Sequence, residues 1–313
     1  MMQELALGID IGGTNTAFGI VNRRGAIIAK GSVPTTGHAS VQHYIAALKS
    51  AVLPLAEKEG LDHFAGAGIG APNGNFFTGE IVFAPNMPWR EIIPMAKLVS
   101  DALGMKATLT NDANAAAVGE MMYGAAKGMK DFIVVTLGTG LGSGFVANGD
   151  VVYGHDGFAG ELGHVIAIRD GRKCGCGRLG CLETYASATG IVRSADEWLA
   201  VRNEDSLLRK HTGKITAKAI HDAALQGDAL ALELFAYTGK ILGQTLADAI
   251  AITSPEAIIF FGGLANAGDL LFTHVQHHME ENLLNIYKGK VQLLQSALPD
   301  ADAAILGASA LAW

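Results

Sequence analysis

The chain has 313 residues, of which 50% are hydrophobic and 17% charged, enough apolar material for two domains of ordinary size. The formal net charge of −7 argues against a basic surface for nucleic acid, and no apolar run is long enough to cross a membrane. The first residues, MMQELALGIDIGG, lack the basic start of a signal peptide, and the thiol usage fits a reducing compartment. We therefore expect a cytoplasmic protein.

The first predicted element is a strand over Leu5–Ile11, followed by the glycine-rich loop Gly12-Gly13-Thr14-Asn15-Thr16. Two more strands are predicted over Ala17–Val21 and Ala26–Ala29. The loop offers backbone N–H groups and threonine hydroxyls, which together can surround phosphate groups. Asp10 at the end of the first strand would be repelled by phosphate unless Mg²⁺ lay between them. The alternative is a turn aspartate that bonds its own backbone.

Two polar-tipped loops follow apolar runs in the next part of the chain, GIGAPNGN and APNMPW. Their side chains Asn73 and Asn86, with the backbone of Gly74, are candidates to contact sugar hydroxyls. Alternatively, these residues serve only the turns.

A further candidate lies where a predicted strand gives way to a helix. Leu109-Thr110-Asn111-Asp112 ends the strand, and Ala113–Tyr123 is rich in Ala and Met, as expected of a buried helix. Asp112 at this junction is either the N-cap of the helix or a general base that accepts the proton of a hydroxyl being phosphorylated. Asn111 beside it is a candidate to hydrogen-bond a neutral polyol.

The order of strand, glycine loop and strand recurs in the second half. Phe132–Leu137 is a β-branched run, the loop Gly138-Thr139-Gly140-Leu141-Gly142 follows, and strands are predicted over Ser143–Ala147 and Asp150–Tyr153. Neither loop spells G-x-x-x-x-G-K-[ST] or G-x-G-x-x-G, and neither opens a helix. The two loops together favour a duplicated architecture that binds a polyphosphate, whereas the alternative is a pair of tight hairpins without a ligand.

All three cysteines fall in one short stretch, at Cys174, Cys176 and Cys181, with His164 upstream of them. Three thiolates and one imidazole complete a tetrahedron around Zn²⁺ without an open position, which is typical of structural zinc. The odd number of cysteines argues against a disulfide framework. The metal would stabilise a loop that also carries a carboxylate near each end, at Glu161 and Glu183.

Late in the chain, a long helix is predicted over Leu230–Thr253 and a strand over Ala257–Phe261. The strand runs into Gly262-Gly263, where the missing side chains would let a flat base lie against the backbone. The final segment, Asp302–Trp313, is rich in Ala and is predicted to be helical.

The motifs DIGGTNTAFG, TLGTGLGSG, ELGH and CGCGRLGCLE, in this order and spacing, resemble those of the ROK family of bacterial sugar kinases and sugar-responsive repressors. The resemblance runs from Gly8 to the last helix. It implies an α/β actin-like ATPase (ribonuclease H-like) fold, with two domains flanking a cleft for sugar and ATP, and a homodimer. The implied domains are 1–110 plus 300–313, and 111–299 with a zinc-binding loop over 161–183.

By the pattern of that family, Asp112 would be the base that acts on the 6-hydroxyl of the sugar, and Asp10 would serve Mg²⁺ bound with ATP. His164 would bind zinc through one ring nitrogen and donate to a sugar hydroxyl through the other. With the loop residues above, the expected sugar-binding set is Asn73, Gly74, Asn86, Asn111, Asp112, Glu161, His164 and Glu183. The expected ATP and Mg²⁺ set is Asp10, Gly12, Gly13, Thr14, Asn15, Thr16, Gly138, Thr139, Gly140, Gly142, Gly262 and Gly263. The expected zinc ligands are His164, Cys174, Cys176 and Cys181.

The resemblance implies an ATP-dependent hexose kinase of carbohydrate metabolism and glycolysis, with glucose as the favoured substrate. Kinases for N-acetylglucosamine, N-acetylmannosamine, allose or fructose are the alternatives, since this chain has Pro72-Asn73-Gly74-Asn75 where the family often has Pro-Gly-Pro. A sugar-responsive repressor is disfavoured, because the phosphate motif begins at Gly8 and leaves no room for a helix-turn-helix. A non-catalytic, zinc-stabilised binding protein would require the phosphate loops to be idle.

Overall fold

The structure, a computed structural model, describes residues 4–85, 87–211 and 213–313. Contacts between residues divide the chain into two compact units. The first unit comprises the chain up to Lys130, Gly144–Gly160 and Ser296–Trp313, and the second comprises Asp131–Ser143 and Glu161–Gln295. Residues 111–130 and 144–160 thus belong to the first unit. The domain limits inferred from the family resemblance, at 110/111 and 299/300, stay a prediction.

The first unit contains a five-stranded sheet with helices packed against it. Its central strands are apolar runs buried along nearly their whole length, as expected of parallel strands covered on both faces, whereas the edge strand β3 alternates between partly buried and exposed residues. Its elements are β1 (Leu5–Ile11), β2 (Asn15–Asn22), β3 (Ile27–Pro34), α1 (Val41–Glu59), β4 (Phe64–Gly70), β5 (Gly74–Asn75), β6 (Glu80–Ile81), α2 (Met95–Leu103), β7 (Ala107–Thr110) and α3 (Asp112–Tyr123).

The second sheet begins with β8 (Phe132–Leu137), β9 (Leu141–Ala147) and β10 (Asp150–Val151). Strand β9 starts in the second unit and ends in the first, since the unit boundary falls after Ser143. The remaining elements are α4 (Ala188–Val201), α5 (Ala217–Leu225), α6 (Ala229–Thr253), β11 (Ala257–Phe261), α7 (Asp269–Asn282), β12 (Gln292–Gln295) and, back in the first unit, α8 (Ala303–Ala310).

The two five-stranded sheets have the same strand order. The first runs β3-β2-β1-β4-β7 and the second β10-β9-β8-β11-β12, so each has an antiparallel pair at one edge and three parallel strands at the other. The duplicated strand, glycine loop and strand pattern predicted from the sequence is therefore confirmed. Because β1, β4 and β7 are parallel, their carboxyl ends lie along one edge of the first sheet.

Several element boundaries differ from the predicted ones. Strand β3 extends to Pro34, well beyond the predicted end at Ala29, because it pairs along the whole of β2. Strand β10 stops at Val151, where its pairing with β9 ends. The N-cap of α3 is Asn111, and Asp112 is the first helical residue, so the N-cap interpretation of Asp112 is wrong. Asn111 takes that position because its extended backbone lets its side chain accept from the N–H of Ala113.

Among the described residues, none of the helices is both long and apolar enough to cross a membrane.

Candidate active site

Two carboxylates converge at the edge where the parallel strands of the first unit end. Asp10 is the penultimate residue of β1, and Asp112 follows β7 by two positions. A Cβ placed on Gly70, at the end of the intervening strand β4, would lie 3.8 Å from Asp10 Oδ1 and 3.7 Å from the Cα of Asp112. The carboxyl ends of the strands thus bring together two acids that are distant in sequence.

Desolvation by the surrounding protein is the largest influence on the pKa of both acids, although Asp10 is only half-buried and Asp112 keeps an exposed surface. It raises the pKa of Asp10 to about 6, and the nearby charge of Asp112 adds to the effect. Burial also raises the pKa of Asp112, against the opposing influence of backbone N–H groups that hydrogen-bond its carboxylate. The Asp112 carboxylate accepts from the N–H of Ala113 at 2.8 Å, and Oδ1 of Asn111 accepts from the same N–H at 2.8 Å.

The first glycine loop joins β1 to β2 as a tight hairpin. The N–H of Gly12 donates to the carbonyl of Asn15 at 3.0 Å, and Thr14 and Asn15 are exposed. Thr16, by contrast, is fully buried, and its hydroxyl lies 2.8 Å from that of Thr35 and 2.9 Å from that of Tyr44. The structure therefore directs the side chain of Thr16 into the core, while the other predicted loop residues remain at or near the surface.

The predicted sugar loop lies beside the Asp112 junction. A Cβ on Gly74 would lie 2.5 Å from the carbonyl oxygen of Thr110, so this part of the loop is in backbone contact with the end of β7. The Asn73 amide donates to the carbonyls of Val82 at 3.0 Å and Phe83 at 3.4 Å, and therefore braces the loop. Asn86, predicted with them, lies outside the described residues.

The predicted zinc ligands of the second unit form a compact cluster. One ligand atom from each of His164, Cys174, Cys176 and Cys181 lies within 4.8 Å of all the others. Sγ of Cys174 is 3.7 Å from Nδ1 of His164, and Sγ of Cys176 is 3.6 Å from Sγ of Cys181. A tetrahedral ion with Zn–S bonds of about 2.3 Å separates neighbouring ligands by about 3.8 Å. Donor chemistry and spacing therefore both fit zinc.

The ELGH turn is held against the start of β9. Leu162 donates its N–H to Oγ of Ser143 at 3.1 Å. A Cβ on Gly163 would collide with the carbonyl oxygen of Leu141, so only glycine permits this approach. Glu161 and His164, which flank these two residues, are thereby placed on the same turn.

Glu183 links the cysteine cluster to the second glycine loop. Its Oε1 accepts from Sγ of Cys174 at 2.9 Å and lies 3.7 Å from Nδ1 of His164. A Cβ on Gly140 would lie 2.8 Å from its Oε2, so the carboxylate lies directly against the loop backbone. A predicted sugar ligand and a predicted phosphate loop are therefore neighbours within one unit.

Gly262-Gly263, predicted to border adenine, also approaches this loop. The N–H of Leu264 donates to the carbonyl of Leu137 at 3.1 Å, and a Cβ on Gly262 would lie 2.8 Å from the same oxygen. The end of β11 therefore lies beside the end of β8, immediately before Gly138.

A groove of about 400 Å³ opens beside Thr139 and was not predicted from the sequence. The lining residues on α4 are three or four positions apart and therefore share one helix face. This spacing is the one feature of the sequence that could have indicated the groove. The lining residues on α4 belong to none of the glycine or cysteine motifs, whereas Thr139 belongs to the second glycine loop. The lining includes Thr139, Thr189, Val192, Arg193, Asp196 and Ile215.

The sequence matches the ROK family over residues 6–313. A glucokinase of Halalkalibacterium halodurans is 38% identical over 288 residues, which are 90% of this chain and 86% of that protein. A glucokinase of Thermotoga maritima is 34% identical over 309 residues, 97% of this chain and 96% of that protein. The crystal structure of a ROK family glucokinase from Streptomyces griseus, in complex with glucose and AMPPNP, matches with a TM-score of 0.79, 34% identity and 98% coverage of both chains.

The chain belongs to the ROK family, because the match extends over nearly its whole length. The resemblance seen in the four sequence motifs is therefore confirmed. The expected α/β actin-like ATPase fold is confirmed as well, by the structural similarity to a sugar kinase of this family and by the duplicated sheet order.

Substituting Gly140 by alanine tests the contact between the second glycine loop and Glu183. The new Cβ would lie 2.8 Å from Oε2, so we expect the carboxylate to move and the glucose Kd, measured calorimetrically without nucleotide, to rise about tenfold. Gly138→Ala is the matched control, since a Cβ there meets nothing within 4 Å. Equal glucose affinities in the two variants would contradict the interpretation.

The raised pKa of Asp10 predicts a pH-dependent gain in stability for Asp10→Asn. Below the ordinary pKa of 3.8 the acid is neutral in both folded and unfolded chains, whereas above about 6 the folded chain must bury its charge. In Mg²⁺-free buffer we expect the variant to gain at most about 3 kcal/mol at pH 8 and about half of that at pH 5. Urea unfolding at both pH values measures the gain.

Asp62→Asn, at an exposed carboxylate, is the control for the charge change itself. A gain for Asp10→Asn that is identical at pH 5 and pH 8 would contradict the predicted pKa shift.

Proposed function

We propose that the protein is an ATP-dependent kinase that transfers a phosphoryl group to the 6-hydroxyl of glucose. The observation that carries the proposal is the pair of carboxylates, Asp10 and Asp112, at the carboxyl ends of parallel strands beside a glycine loop. Identities of 34–38% to glucokinases over most of the chain support glucose as the substrate.

Asp112 is the proposed general base. A hydroxyl that attacks phosphorus must lose its proton, and a carboxylate within hydrogen-bonding reach accepts that proton most effectively when its pKa is close to the working pH. Burial shifts the pKa of Asp112 in that direction. Its hydrogen bond from the N–H of Ala113 fixes the orientation of the carboxylate at the start of α3.

Asp10 is the proposed carboxylate for the Mg²⁺ that accompanies ATP. A divalent cation would offset the repulsion between this acid and a phosphate chain and would neutralise charge on the transferred group. The raised pKa of Asp10 reflects the partial desolvation of its carboxylate and the nearby charge of Asp112, for which such a cation would compensate. The glycine loops are the proposed source of backbone donors for the phosphates, and the groove beside Thr139 has a volume and a mixed lining that would suit the nucleoside.

Zinc is the proposed structural ion of the cysteine cluster. Nδ1 of His164 faces the thiols, at 3.7 Å from Cys174, so Nε2 remains to donate to a sugar hydroxyl. Glu161 and Glu183, which lie on the same loop, are the proposed acceptors for other hydroxyls. The metal would thus orient the sugar-binding groups without taking part in phosphoryl transfer.

A cytoplasmic homodimer that acts in glycolysis and binds no nucleic acid completes the proposal. Its support is the family resemblance and the net charge of −7.

The proposed base is tested by Asp112→Asn, which keeps the shape of the side chain and removes its basicity. We expect kcat in a coupled ADP assay to fall by about 10²–10⁴-fold, while the calorimetric Kd for glucose changes less than about threefold. Asp101→Asn, at an exposed carboxylate on α2, serves as the control and should retain kcat. The same assay across a panel of hexoses and N-acetylhexosamines tests the substrate, and near-normal turnover by Asp112→Asn would refute the base.

The proposed zinc site is tested by Cys176→Ser and by chelation. Because the ligands and the sugar-binding acids share one loop, we expect glucose affinity to weaken about 10–100-fold and the melting temperature to fall together with it. Metal content is measured by mass spectrometry, and re-added zinc should restore the chelated wild type but not the variant. A folded, metal-free protein with unchanged glucose affinity would contradict this role.

A further inference from the structure

The first turn of α4 lies between the turn that carries Glu183 and the second glycine loop. The helix begins at Ala188, with Ser187 as its N-cap, a few residues after Glu183. It contacts each of the two neighbouring segments through separate hydrogen bonds, all of them within the second unit.

On the side of the acid, the turn is tied to the helix in two ways. Oγ of Ser187 donates to the carbonyl of Glu183 at 2.7 Å and accepts from the N–H of Gly190 at 3.0 Å. The buried guanidinium of Arg172 donates to the carbonyl of Thr184 at 2.7 Å and to that of Gly190 at 3.3 Å. The Glu183 turn is therefore anchored to the start of α4.

On the side of the loop, α4 holds two consecutive carbonyl groups. The N–H of Ala188 donates to the carbonyl of Gly138 at 2.9 Å, and Oγ1 of Thr189 donates to the carbonyl of Thr139 at 2.6 Å. A trans peptide is planar, with its N–H opposite to its C=O. Holding these two oxygens towards α4 therefore directs the N–H groups of Thr139 and Gly140 away from the helix, as a phosphate-binding loop requires.

Each of the two hydroxyl groups at the start of α4 donates its single hydrogen to a backbone carbonyl. Oγ of Ser187 and Oγ1 of Thr189 are 3.1 Å apart, but each carries one hydrogen, and each has a carbonyl acceptor at shorter distance. Thr189 thus donates its only hydroxyl hydrogen to the glycine loop, and Ser187 donates its hydroxyl hydrogen to the turn that carries Glu183. Removing the Thr189 hydroxyl would release the Thr139 carbonyl without disturbing the N-cap.

We propose that Thr189 is a positioning residue that couples hexose binding at Glu183 to phosphoryl-donor binding at the Gly138–Gly140 loop. The inference rests on the proposed function and adds a residue and a contact that none of the sequence motifs contains. A hexose that orders Glu183 also orders the first turn of α4 and, through Thr189, the loop carbonyl. The donor then binds a loop whose N–H groups are already directed, so each ligand tightens the other.

Calorimetry on the full chain measures this coupling as the ratio of glucose Kd values without and with AMPPNP and Mg²⁺. For the wild type we expect a ratio within about 5–150. Thr189→Val, which has nearly the same shape and no donor, should bring the ratio below about 2, and Thr189→Ser, which keeps the hydroxyl, should restore it. The glucose Kd without nucleotide should stay within about twofold of the wild type, and the KM for ATP should rise more than kcat falls.

Two further variants guard the interpretation. Thr189→Ala removes the same hydroxyl and favours the helix, so it should repeat the loss of coupling if valine perturbs folding. Thr273→Val, at an exposed threonine on α7, should retain the wild-type ratio. Melting temperatures of all variants should agree closely, because Thr189 is exposed.

A wild-type ratio close to one, or a wild-type ratio in both Thr189→Val and Thr189→Ala, would overturn the inference. If the wild type phosphorylates glucose and only the ratio fails to change, the proposed function stands and the role of Thr189 does not. If the wild type phosphorylates no hexose at all, the two fail together.

Discussion

Asp10 and Asp112 bring two carboxylates close together at one edge of the first sheet. Desolvation raises the pKa of each, and the charge of Asp112 opposes ionisation of Asp10. Such an arrangement costs stability in the ligand-free protein and gains from a cation. The parallel pairing of β1, β4 and β7 maintains it, because their carboxyl ends hold the acids on either side of Gly70.

The duplicated sheets use equivalent positions for different chemistry. Asp10 precedes the first glycine loop by two residues, and Thr136 precedes the second by the same interval. Oγ1 of Thr136 accepts from the N–H of Gly142 at 3.1 Å and so supports the loop itself. One copy of the architecture thus offers a charge at this position, and the other offers a neutral brace. The two sheets therefore share a strand order but differ in the side chain that they place before the glycine loop.

Much of the architecture was predictable from the sequence, because it rests on local patterns. Strands β1, β8 and β11 are short apolar runs that are each followed by glycine, and their observed limits match the predicted ones. The cysteine cluster was equally predictable, since the type and the spacing of its ligands indicate it without knowledge of the fold. In both cases the decisive residues are close in sequence.

The unpredicted features depend on contacts between distant residues. Thr16 looked like a loop donor, yet its hydroxyl belongs to a buried network with Thr35 and Tyr44. The bond from Thr189 to Thr139 joins positions fifty residues apart, and no periodicity signals it. Asn and Asp are about equally favourable as N-cap residues, so the sequence alone did not decide between Asn111 and Asp112 as the N-cap of α3.

The four donors of the cysteine cluster show the opposite case, since they all lie between positions 164 and 181 of a single unit. Closing so short a segment around an ion costs little chain entropy. Capture of the proposed zinc would therefore be a local step of folding, one that need not wait for the distant β-strands to assemble.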